Sequence, residues 1–134
     1  MDSMGFQVRE DAQAGDKGRQ PGVLTAFHQA LLSACGSPWL LRITAQLATQ
    51  SLRFRVLSSS TRPGGVAEAH REHVLLLEAA LALDETRAMG LAAAHLGRTV
   101  ISTLGEGALV TLIDRIRLAQ GISTPVLDAL TSLV

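Results

Sequence analysis

"EAHREHVLLLEAALALDETRAMGLAAAHLGRT", residues 68–99, is the stretch whose reading decides the fold. It is dense in Leu and Ala, both strong helix formers, and shows no strand-like alternation. Its one short break falls at Asp84, whose side chain can cap a following helix. The pattern predicts a helix over 66–83 and another from Glu85 to about Leu104, folded as an antiparallel hairpin. The stretch also holds three of the four histidines in the chain, His70, His73 and His95. His73 lies eleven residues before Asp84 and His95 eleven after it. At 1.5 Å rise per residue, each would stand roughly 16 Å from the turn, at one level on neighbouring helices. A neutral imidazole offers one lone pair, so rings meeting inside a bundle are a start for a metal site. The same spacing also fits histidines that do nothing beyond packing.

Working outward, residues 22–36 carry apolar side chains at helical spacing. His28 lies there, eight residues before Gly36, and could reach the same depth from a third side. "CGSP" should close that helix, with Gly36 as its C-terminal cap, Ser37 capping the next helix and Pro38 in its first turn. The next helix should run unbroken from Pro38 to about Ser58, followed by a loop at "SSSTRPGG", residues 58–65. After Leu104, "GEG" breaks the pattern. "ALVTLIDRIRLAQ", residues 108–120, reads as a fifth amphipathic helix, and "STPVLDALTSLV" as a short sixth. Residues 1–21 show no sustained period and read as a flexible tail. The expectation is all-α: an antiparallel helical bundle over 22–104, with a helical extension over 105–134.

The 134 residues suit one domain, and 47% of them are apolar. Aromatics are only 3%, so the core should be Leu and Ala packed helix on helix. Twelve basic residues balance twelve acidic ones, which argues against a domain gripping nucleic acid by charge. One cysteine, Cys35, excludes an internal disulfide. No apolar run approaches the roughly 20 residues of a membrane span, and the N-terminus lacks a signal-peptide pattern. These features lead us to expect a cytoplasmic protein without membrane contact.

Phe27-His28, the "CGSPWL" turn, Glu72-His73, Asp84 and His95-Leu96 agree in order and spacing with one known family. Over roughly Val23 to Thr99 the chain resembles the second half of the FCD domain, the C-terminal sensing domain of the FadR branch of GntR-type bacterial transcription regulators. The resemblance implies a non-enzymatic helical bundle that binds a small organic acid, often beside a divalent metal held by three histidines and one acidic residue. Carried onto this chain, His28, His73 and His95 become metal ligands, with Zn, Ni or Mn as the candidate ions. The acidic ligand is expected four residues before His28, where Asp and His at i and i+4 would share a helix face. Leu24 stands there, so a weakened site is expected. Arg55 matches an arginine common in the family and could meet the effector carboxylate bidentately. The resemblance also implies a DNA-binding winged helix-turn-helix and further helices ahead of Val23. Only the polar tail stands there, so the expectation is a truncated member that does not bind nucleic acid by itself.

Other residues carry smaller expectations. Trp39 reads as an apolar anchor at a helix start, Cys35 as a small buried residue and His70 as a solvated one. Glu72 is expected to point off the histidine face as a first-turn charge favourable to the helix dipole. Leu109, Leu112, Ile113 and Ile116 should bury against the bundle or a second subunit, which leaves a homodimer open. Two other functions compete with the sensor. One is a small metal-dependent hydrolase using three histidines and an open coordination place, although no supporting carboxylate or general base stands out. The other is a degenerate structural remnant.

Overall fold

The computed structural model describes residues 21–61, 64–119 and 121–134, and among them it contains seven α-helices and no strand. The chain forms two compact units, one ending at Arg53 and one beginning at Phe54. The expected tail, apart from Pro21, lies outside the described residues.

In the first unit, α1 spans Pro21–Leu32 and runs into a 3-10 turn at Ser33–Cys35. Gly36 closes the turn at φ 68, a left-handed conformation that glycine adopts without a Cβ penalty. Ser37 then caps α2, Pro38–Gln50, its hydroxyl accepting the Leu40 N–H at 3.3 Å, with Pro38 at the first helical position. The caps therefore fall where the sequence placed them. α1 packs on α2, with Phe27 buried and Gln29 Nε2 donating to Thr44 Oγ1 at 3.4 Å. Two expectations fail here: Cys35 is exposed, and Trp39 is 67% exposed instead of anchoring the helix start. Cys35 ends the 3-10 turn and Trp39 lies in the first turn of α2, and neither is covered by a neighbouring element.

The helix expected over Pro38 to Ser58 is two helices: α2 ends at Gln50 with Ser51 as its C-cap, and α3 spans Leu52–Thr61. The hydroxyls of Thr44, Thr49 and Ser51 bond back to the carbonyls of Leu40, Ala45 and Ala48 at 3.0, 3.0 and 3.2 Å. Such bonds compete with the helical ladder and bend helices. Residues 58–61, expected in a loop, continue α3.

The second unit holds α4, Gly65–Leu81, and α5, Glu85–Leu104, followed by α6, Glu106–Leu118, and α7, Thr124–Thr131. α4 and α5 form the expected hairpin. Asp84 caps α5 by accepting the Arg87 N–H at 3.0 Å. Just before it, the Leu83 N–H reaches Ala80 O at 3.1 Å and the Asp84 N–H reaches Ala79 O at 3.0 Å. These are the paired bonds of a Schellman ending, with Leu83 in the left-handed position at φ 55.

α5 is central to this unit, packing against α4, α6 and α7. Ala93, Leu109, Ile113 and Leu130 form its buried cluster, with Val100, Ile101, Ile116, Val126 and Leu133 packed around it. Leu109 is fully buried. Of the apolar residues expected to bury on α6, Leu112 alone is exposed, at 38%. Gly97 makes the close packing feasible: a Cβ there would lie 2.8 Å from Leu133 Cδ1 and 2.9 Å from Leu130 Cδ2. α6 and α7 thus share one core with α5. No helix among the described residues is long and apolar enough to cross a membrane.

Candidate metal centre

The α4–α5 hairpin brings His73 and His95 to one level, as the equal count from Asp84 implies. Their Nε2 atoms stand 3.3 Å apart, with ring centroids at 4.6 Å and planes inclined by 58°. On the other side of His95, Nδ1 lies 2.6 Å from Glu72 Oε2. A carboxylate can only accept, so this contact places the proton of a neutral His95 on Nδ1 and leaves the lone pair on Nε2. That lone pair belongs to the nitrogen nearest His73. Arg98 continues the chain of charges, with Nη1 3.0 Å from Glu72 Oε1 and Nε 3.9 Å from Glu68 Oε1. The side chains of His95 and Glu72 are only 13% and 14% exposed, so their contact is shielded from much of the screening that weakens surface pairs.

Glu72 corrects an expectation. It does not point off the histidine face, and it is the supporting carboxylate that seemed missing. The count that paired the histidines gives the levels of Glu72 and Arg98 as well, but not the side to which each turns. Glu72 lies twelve residues before Asp84, one level from His95, and Arg98 lies fourteen after it, between the levels of Glu72 and Glu68. Helical position explains how adjacent Glu72 and His73 both serve. Their side chains diverge by roughly 100°, and α5 meets the seam between them.

Two imidazole nitrogens on one tetrahedral zinc, each about 2.0–2.1 Å from the ion, stand roughly 3.3–3.4 Å apart. The His73–His95 separation fits that bite. The donor set fits as well: an imidazole ligand characteristically donates its other N–H to a carboxylate, and His95 does so.

His28 lies in the first unit on α1, half-buried, its ring meeting Phe27 edge-on with centroids 5.4 Å apart. Arg55 lies on α3 in the second unit, half-buried, and desolvation lowers its pKa. An arginine so shifted still holds a fixed positive charge near neutrality. His70, expected to be solvated, is half-buried. The Leu24 side chain lies outside the described residues.

Comparison with known proteins extends the resemblance. Over 75 residues, 55% of this chain, it is 37% identical to the "Uncharacterized HTH-type transcriptional regulator BphR" of Paraburkholderia xenovorans (strain LB400). The matched segment covers 30% of that relative's length. No solved structure matches the chain significantly. The family model of the FCD domain matches residues 3–98, beginning well ahead of Val23, where the quoted motifs start. With that match covering most of the sequence, the chain belongs to the FCD domain family.

Proposed function

We propose that this chain is the effector-sensing and oligomerisation domain of a GntR-type transcription regulator. It binds a small organic acid beside a divalent metal, with His28, His73 and His95 as the metal's protein ligands. The observation that carries this reading is the His73–His95 pair with His95 locked by Glu72. His28 enters through its place in the family motif, within the matched residues 3–98. When bound, the metal supplies a Lewis-acidic point for an effector carboxylate or its oxygen neighbours. Arg55 supplies a fixed cation for the carboxylate, and its partial desolvation favours a bidentate partner over water.

Metal analysis of protein purified without a histidine tag tests the reading. Bound Zn, Ni or Mn that is released in the His95→Ala variant supports it. Metal-free protein whose melting is indifferent to millimolar divalent cation would instead mark a structural remnant. The Glu72–His95 contact is also the kind of support that a hydrolytic zinc-bound water uses. Metal-dependent turnover of a generic ester, abolished by His95→Ala, would replace the sensor reading with a hydrolase.

A further inference from the structure

Building on the metal site proposed above, we infer that Glu72 is its positioning residue and its charge compensation, held in place by Arg98. Three neutral imidazoles bring no negative charge to a divalent ion. The Glu72 carboxylate reaches that set through His95: Oε2 accepts from Nδ1 at 2.6 Å, which fixes both the tautomer and the rotation of the ring. A carboxylate hydrogen-bonded to an imidazole also raises the basicity of the far nitrogen, here the one 3.3 Å from His73 Nε2. Arg98 Nη1 stands 3.0 Å from the other carboxylate oxygen as an ion pair, so Glu72 has a partner of opposite character at each end. Arg98 also approaches Glu68 at 3.9 Å, and the two carboxylates around one guanidinium leave the group anionic. A cation beside His95 therefore meets a net negative field even though its ligands are neutral.

The test compares full-length wild type, Glu72→Gln, Glu72→Leu and Glu78→Gln by calorimetric titration with zinc alone. Nitrogen-15 NMR of the metal-free proteins reads the His95 tautomer in parallel. Glu78 lies on the same helix with an exposed side chain, 55% accessible, and serves as the control. Zinc affinity is expected to fall on the order of 10–100-fold in Glu72→Leu. Glu72→Gln keeps an accepting oxygen, so it should retain the Nδ1–H tautomer while losing about tenfold in affinity through the lost charge. Glu78→Gln should bind as wild type does. A purely structural Glu72 would leave the tautomer unmoved in both variants, and that result overturns the inference, as does unchanged zinc affinity in folded Glu72→Gln. If wild type binds no zinc, the metal-site reading itself fails. The tautomer comparison then still decides whether Glu72 orients His95.

Discussion

Leu83 is a residue whose backbone and side chain disagree. It occupies a left-handed conformation at φ 55, where a Cβ costs roughly 1–2 kcal/mol, and its side chain is 89% exposed and packs little. Leu83→Gly is therefore expected to raise stability by about 1 kcal/mol, seen as a higher denaturant midpoint with an unchanged slope. A lower midpoint would mean that the freedom glycine adds to the unfolded chain outweighs the backbone strain it relieves. Leu24 poses a second residue-scale question. A carboxylate at that position would share a helix face with His28, four residues on, and would add charge to a neutral ligand set. Leu24→Asp is expected to tighten zinc binding, read by competition with a chromophoric chelator. Unchanged or weaker binding would count against the alignment that makes His28 a ligand.

At the scale of elements, α5 has two differently built faces. Toward α4 it presents His95 and Arg98, three residues apart, as polar teeth in the hairpin seam. Toward α7 it presents Gly90 and Gly97, which let the helices approach closely. These two glycines are expected to respond to alanine with opposite signs. At Gly90 a Cβ would meet Pro125 O at 3.7 Å and Ala129 Cβ at 3.9 Å, ordinary contacts. Gly90→Ala should stabilise by about 0.5–1 kcal/mol through helix propensity. At Gly97 the new Cβ would come within 3.0 Å of two leucine methyls, and overpacking of about 1–3 kcal/mol outweighs the same propensity gain. Thermal melts of the two variants, shifted in opposite directions, would confirm that α7 sets the spacing.

For the whole chain, the decisive feature is how the buried core of the second unit is shared. Ala93 comes from α5, Leu109 and Ile113 from α6, and Leu130 from α7. Three of these four residues lie beyond Leu104, so the C-terminal helices supply most of this cluster, while Leu76 and Ala79 bury on α4. Leu109→Ala, at a fully buried site, should cost about 2–5 kcal/mol. Removing residues 106–134 uncovers the glycine-lined face of α5 and should abolish cooperative unfolding of the second unit. A truncated chain that still melts in one sharp transition would show that α4 and α5 stand without them. The chain also leaves Leu96, Leu104 and Leu118 more than half exposed. Apolar surface of this kind is consistent with the proposed self-association, to be measured by sedimentation across protein concentrations.

Helix content, the turn at Asp84 and the caps at Gly36 and Ser37 were determined by the sequence alone, because each rests on local chemistry. Hydrophobic period, capping oxygens and glycine freedom all act within a few residues. The same local counting put His73 and His95 at one level, since helical rise is constant along a hairpin. What it left open was rotation about the helix axis, which depends on how α4 and α5 pack. Only the tertiary structure turned Glu72 inward onto His95 and set Arg98 across it. The break at Ser51, where the Ser51 hydroxyl bonds back to Ala48 O, also lay beyond what the apolar pattern reports. The core across α5, α6 and α7 came from tertiary contacts too, because burial depends on what lies opposite a side chain and periodicity reports only which face is apolar.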